Sequence, residues 1–302
     1  MLNQTQLKPN YAENVQTDAQ PVNKPDISRV CSLRSDKTND VLAFLSRRPV
    51  HTVVMSSWIR DNGIVSPHNR GIFYGYCNDL GELEGVALIG HTTLVEAHTE
   101  EALEAFAWIA KSSELKLHFL MAAGDTIETF WSYYVGDASK PRLICSELLF
   151  EMTFPTIVRK TVEKLRQATA EDLLLVAKAH AQVAFEESGV NPLEKDCEKF
   201  LERTLRRIEK GWCWVLIEEG RLLFKADIVA QTLEVSYLEG IYVAPDVRGN
   251  GIGPDCLSQL GLILLQETKS VCLLSNVEFE PAHHAYKKAG FRIKDKCQTI
   301  FV

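Results

Sequence analysis

The chain has 302 residues, 46% apolar and 24% charged, with a formal net charge of −7. That is long enough for two ordinary domains, and no apolar run approaches the roughly 18 residues of a membrane-spanning helix. Eight cysteines without C-x-x-C spacing and eight histidines without an H-E-x-x-H pattern argue against a zinc site and a disulfide framework, and fit a reducing cytoplasm.

No metal is expected, and no membrane partner. The acidity is uneven: residues 1–155 hold 13 Lys/Arg against 19 Asp/Glu, and residues 156–302 hold 20 against 21. No basic stripe supports nucleic-acid binding. An acidic first half suits a cationic or amine partner, and equally suits solubility.

Residues 1–30 are polar, contain Pro9, Pro21 and Pro25, and show no apolar period. They predict a flexible arm, with no basic patch and apolar run of a secretory signal. A helix capped by Asp36 or Thr38 is expected to run to Arg48 and stop at Pro49, with a second from His51 to Arg60. A hairpin follows, residues 71–76 and 83–89 around Asn78, Asp79, Leu80 and Gly81, with a further strand at 92–95. A helix over 98–110, a strand over 115–121, a short helix through Trp131 and Tyr134, and a long strand over 142–154 complete the first half.

The pattern restarts at Val158. Helices are predicted from Thr169 and over 193–210, then strands at 212–218, 221–230 and 233–243. A glycine-rich turn leads to a helix over 254–267, a strand at 271–275, a helix at 281–288 and a last strand at 291–302. The order predicts a mixed α/β (α+β) architecture, with a mostly antiparallel sheet flanked by helices. The expected units are an arm (1–30), a first domain (31–157) and a second (158–302).

The turn carries the chemistry. Arg248, Gly249, Asn250, Gly251, Ile252 and Gly253 have the form Arg-x-x-Gly-x-Gly between an apolar strand and a helix. Glycines there allow positive φ and close approach of a ligand, and the backbone N–H groups make an anion site. Pro254 stands where a dinucleotide fingerprint needs its third glycine, and the Gly-Lys-Ser/Thr of a Walker loop is absent.

About thirty residues later come Ala282, His283, His284, Ala285, Tyr286, Lys287, Lys288, Ala289, Gly290 and Phe291. The paired segments resemble the GCN5-related N-acetyltransferase (GNAT) superfamily over about residues 160–302. Phe185 to Pro192 and Phe224 to Asp227 resemble a bacterial subgroup in which an uncharacterised N-terminal domain precedes the acetyltransferase domain. The first half would then be a degenerate, non-catalytic copy, for it has no Arg-x-x-Gly-x-Gly.

The resemblance implies acetyl-CoA as co-substrate and direct attack of a neutral primary amine on its thioester. The amides of 249–253 would take the pyrophosphate, and Arg248 would shape the turn or meet a phosphate. Ile241, Tyr242 and Val243 would pair with the pantetheine arm, Asn276 would contact it, and an N–H near Val243 would polarise the carbonyl. Tyr286 is the expected acid, or else a residue packing on the core. Glu239, Glu187 and Glu186 are the candidate bases. Phe279 departs from the asparagine that many members carry seven residues before the tyrosine. A non-catalytic acyl-CoA-binding or protein-interaction module is the alternative, and a homo-oligomer is left open.

Overall fold

A computed structural model describes residues 25–124, 126–135 and 140–302. The arm predicted over 1–30 lies mostly outside the described residues. Its last residue already belongs to β1 (Val30–Ser32).

In the first half β1 is followed by α1 (Thr38–Leu45), α2 (Pro49–Asn62), β2 (Gly71–Cys77), β3 (Leu83–Gly90), β4 (Thr92–Ala97), α3 (Glu100–Ser112), β5 (Phe119–Ala123), α4 (Thr126–Val135) and β6 (Leu143–Met152). Pro49 does not only stop a helix. It opens the next at its first position, where the missing N–H would lack an intrahelical partner anyway. Asn78 Oδ1 closes the β2–β3 turn by accepting from the N–H groups of Leu80 and Glu82, at 3.0 and 2.9 Å, with Gly81 at φ +80°.

The second half has β7 (Leu165–Gln167), α5 (Leu173–Ser188), α6 (Pro192–Lys195), α7 (Cys197–Glu209), β8 (Cys213–Glu218), β9 (Arg221–Gln231), β10 (Val235–Val243), α8 (Ile252–Leu264), β11 (Ser270–Asn276), α9 (Glu280–Ala289) and β12 (Arg292–Phe301). The helix expected over 193–210 is two helices. Asp196 leaves helical geometry between them and caps the second by accepting from Lys199 N.

The strands form one 12-stranded sheet in the order β1-β2-β3-β4-β5-β12-β6-β11-β10-β9-β8-β7. Each half runs antiparallel over its first four strands and then adds a parallel neighbour, β4 with β5 and β10 with β11. The last strands change places. β12 lies between β5 and β6, and β6 lies between β12 and β11. The two halves therefore carry the same element order, apart from α6, and each completes its sheet with a strand of the other.

Side chains alternate across β6 and so serve two cores. Phe150 and Met152 join Leu238, Leu257, Leu273, Tyr286 and Phe291 beneath α8 and α9. Leu149, on the other face, packs with Val50 and Val53 of α2 and with Tyr237, Cys272 and Cys297. Phe150 is fully buried and meets both His283 and Tyr286 at ring-centroid distances of 5.4 Å. Phe150→Ala is expected to cost about 3–5 kcal/mol. Urea unfolding should show this loss in a single transition for both halves, because β6 belongs to each; separate transitions would contradict the shared core.

Candidate active site

The site forms where the parallel pair β10–β11 stops pairing. Their register ends at Leu238↔Leu273, while β10 continues to Val243 and β11 to Asn276. Beyond that point β11 stays with β6, through Asn276↔Glu147, and β10 stays with β9, through Val243↔Phe224. A bulge between Glu239 and Tyr242, with Gly240 at φ +57°, turns β10 as it leaves. The β11-facing edge of Ile241, Tyr242 and Val243 is thus a half-buried strand edge with no ladder partner among the described residues.

This edge leads into the glycine turn. Gly249 and Gly251 have φ of +84° and +88°; a Cβ on Gly249 would meet open space, and one on Gly251 would make only an ordinary contact, 3.9 Å from Asp255 Oδ2. They are needed for backbone conformation, and both leave the concave side clear. Gly253 has a different role: a Cβ there would sit 3.1 Å from Val243, so α8 starts close against the end of β10. The helix begins at Ile252 rather than at Pro254, which occupies its third position. Its first N–H groups, those of Ile252 and Gly253 among them, have no intrahelical acceptor and set the positive end of the helix dipole at the turn. Proline at the third position removes one such donor without breaking a helical bond.

Arg248 shapes the turn. Its Nε donates to Val243 O at 3.0 Å, and its guanidinium lies 3.9 Å from the Glu186 carboxylate of α5. Asn250 donates its N–H to Val247 O. Sequence reading missed a second arginine: Arg159, from the segment joining the halves, donates to Asp255 Oδ1 at 2.7 Å and neutralises the carboxylate in the first turn of α8.

Tyr286, on α9, is 8% exposed, and its ring packs edge-on against Phe150 and Phe291. The ring is therefore a core residue, whatever its hydroxyl does. Asn276 ends β11. Its Oδ1 accepts from Glu278 N at 2.9 Å, and its carbonyl accepts from the buried His283 ring at 2.9 Å, so it organises the entry to α9. Phe279 is the residue just before α9 and is 39% exposed.

Glu239 keeps exposed surface on β10, while its carboxyl is crowded by protein atoms. Burial pushes its carboxyl above the ordinary range, against the opposing effect of the Tyr237 hydroxyl bonded to it and of Arg207. Glu147, on the exchanged strand β6, is raised by burial in the same way; Thr299 Oγ1, donating to its Oε2 at 2.6 Å, opposes this, and the charge of Glu239 adds to it. Of the other proposed bases, Glu186 is exposed, accepts from Gln182 at 2.9 Å and faces Arg248. The side chain of Glu187 lies outside the described residues.

Behind Glu239 stands an ionic group whose lysine and aspartate lie in the Phe224–Asp227 segment, which the sequence marks only by its family resemblance. Asp227 is opposite Glu239 in the β9–β10 register and opposite Cys213 on β8. Its Oδ2 accepts from Lys225 Nζ at 2.7 Å and from Arg207 at 2.6 Å, with His180 Nδ1 at 3.8 Å. Burial favours the neutral acid, but Lys225 and Arg207 hold the carboxyl below its usual range. Burial, reinforced by Lys225, pulls His180 down to about 3, so its ring is neutral. A signal existed: Lys225 and Asp227 are charges two apart in an otherwise apolar strand, hence on one face.

Among the described residues no group of three His, Cys, Asp or Glu side chains could hold a metal, and no helix is long and apolar enough to cross a membrane.

Residues 209–293 match the acetyltransferase (GNAT) domain model. No curated protein sequence matches the chain. Among solved structures, a GNAT-family acetyltransferase from Colwellia psychrerythraea is 14% identical, with 90% of this chain and 99% of that one covered and a TM-score of 0.54. A GCN5-related N-acetyltransferase from Sphaerobacter thermophilus is 12% identical, covering 92% and 96%, with a TM-score of 0.57. A tandem GNAT protein from the clavulanic acid biosynthesis pathway is also 12% identical, covering 89% and 97%, with a TM-score of 0.55. At such identities the likeness is one of fold, and it agrees with the GNAT domain match over residues 209–293, which spans the glycine turn and Tyr286.

Proposed function

We propose that the protein is an acetyl-CoA-dependent N-acetyltransferase that acts on a primary amine within a ternary complex. The observation that carries this reading is the free edge of β10 running straight into the Gly249–Gly253 turn and the start of α8. An unpaired strand edge suits the two amides of a pantetheine arm, and a turn of free N–H groups at a helix start suits a pyrophosphate. The residues fit that ligand: the space over Gly249 is open, a Cβ on Gly251 would come no nearer than 3.9 Å to Asp255, and the Asp255 charge is neutralised by Arg159.

A thioester supplies an activated acyl group, and the protein must supply three things to its aminolysis. The amine has to be neutral, the carbonyl has to be polarised, and the departing thiolate needs a proton. Glu239 is the proposed base, directly or through water, because a carboxyl raised by burial is better matched to proton transfer near neutral pH. Backbone N–H groups of the open β10 edge near Val243 are the proposed donors to the carbonyl oxygen as charge develops there. Tyr286 is the proposed acid for the sulfur. Arg248 supports the site by fixing the turn rather than by binding phosphate.

A second reading, a fold that binds acyl-CoA without turnover, is favoured by Phe279 at the position where asparagine is expected. Tight acetyl-CoA binding with no thiol released across a broad panel of amines would select it.

Gly251→Asp is expected to weaken acetyl-CoA binding by about 100-fold, roughly 3 kcal/mol, through a like charge beside the pyrophosphate and a strained φ. Calorimetry checks this, and unchanged affinity would remove the turn as the phosphate site. Tyr286→Phe should lower kcat by about 100-fold while the acetyl-CoA Kd stays within about twofold; an unaltered kcat removes Tyr286 as acid. For Glu239, the base must be ionised, so activity falls as pH drops through its raised pKa, placing the acid limb above the ordinary carboxylate range. Glu239→Gln should abolish that limb and cut the neutral-pH rate by about 100-fold. A limb that persists in the variant assigns it to another group.

A further inference from the structure

The most deeply buried charge in the second half is the Lys225 ammonium, with no side-chain exposure, paired to Asp227 at 1%. Beyond its 2.7 Å bond to Asp227, Nζ donates to Gly240 O at 3.0 Å. Gly240 is at the bulge, where the β9–β10 register slips between Glu239 and Tyr242. A bulge leaves main-chain groups outside the ladder, and such a group in the interior requires a partner. Here the partner is a side chain two residues from Asp227 on the neighbouring strand. The surrounding charges balance, Lys225 and Arg207 against Asp227 and Glu239, with His180 neutral beside them. There is no slack in the arrangement: a Cβ on Gly240 would lie 3.0 Å from Nζ and 3.3 Å from Asp227 Oδ2.

We propose that Lys225 is a positioning residue for the acyl donor: by tying the Gly240 carbonyl to Asp227 it holds the bulge that swings β10 away from β11, and so keeps the edge at Ile241–Val243 open for a pantetheine arm. The inference rests on the acyl-CoA reading of the site. It separates two parts of one ligand. The bulge governs the edge that would take pantetheine, whereas the Gly249–Gly253 turn, several residues further on, would take the phosphates.

The test compares CoA with 3′-phospho-ADP, the same molecule without its pantetheine arm, by calorimetry on the full chain. In the unaltered protein CoA should bind more tightly than the fragment. Lys225→Met, similar in shape and uncharged, is expected to weaken CoA at least about tenfold while the fragment changes less than about twofold. Equal weakening of both, or of neither, overturns the inference, since a general loss of structure does not distinguish the two ligands. If Lys225→Met does not fold, Gly240→Ala decides the question, because it keeps the lysine and strains the bulge. It should show the same selective loss of CoA, and a variant that spares CoA or loses both ligands equally overturns the inference. Unaltered protein that binds neither compound overturns the acyltransferase reading itself, and this inference with it.

Discussion

Backbone hydrogen bonding at the centre of the sheet is the constraint on which the molecule depends. A parallel pair such as β10–β11 or β4–β5 leaves the outer edge of its last strand unpaired, and a buried row of N–H and C=O groups must find partners. The chain satisfies both edges with one antiparallel pairing, β6 against β12, inserted crosswise so that β6 covers β11 and β12 covers β5. The long register of β6 with β12, from Arg292↔Glu151 to Phe301↔Leu143, joins the halves through main-chain bonds instead of a surface contact.

That arrangement also opens the site. Because β11 is held on its far side by β6 as far as Asn276, it cannot follow β10 when the bulge turns the latter outward. The result is a wedge with a backbone edge on one wall, Tyr286 and its aromatic neighbours beneath one face, and Glu239 and Glu147 on the other. Glu147 comes from the first half, so a half without its own glycine turn still lends a carboxyl to the neighbourhood of the second half's site.

Much of this was legible in the residues. The hairpin around Asn78–Gly81, the β8–β10 meander, and the turn with its following helix are local patterns, fixed by turn chemistry and apolar alternation over a few positions. What stayed hidden is non-local. The three-residue strands β1 and β7 are too short to show a period, and they exist because the sheet edge beside them accepts them. The exchange of β6 and β12 leaves no trace in either segment, since an apolar strand reads the same whichever neighbours it gains. At the candidate site, the glycines could be picked out by spacing and Tyr286 through the family resemblance, while the bonds of Lys225, Arg207 and Arg159 join residues distant in the chain or across a strand pair.

The crossed strands also bear on how the chain is made. A first half emerging from the ribosome has β1 to β5 in hand, but the strand that covers β5 is β12, which follows every other element of both halves. Until β12 is made, β5 therefore lacks the strand that covers its apolar edge, and until β11 is made β6 lacks both of its neighbours. Such edges are the usual starting points for pairing with the wrong chain. Native topology is reached only once β12 has emerged, so that strand acts as the closing stitch for a domain laid down long before it.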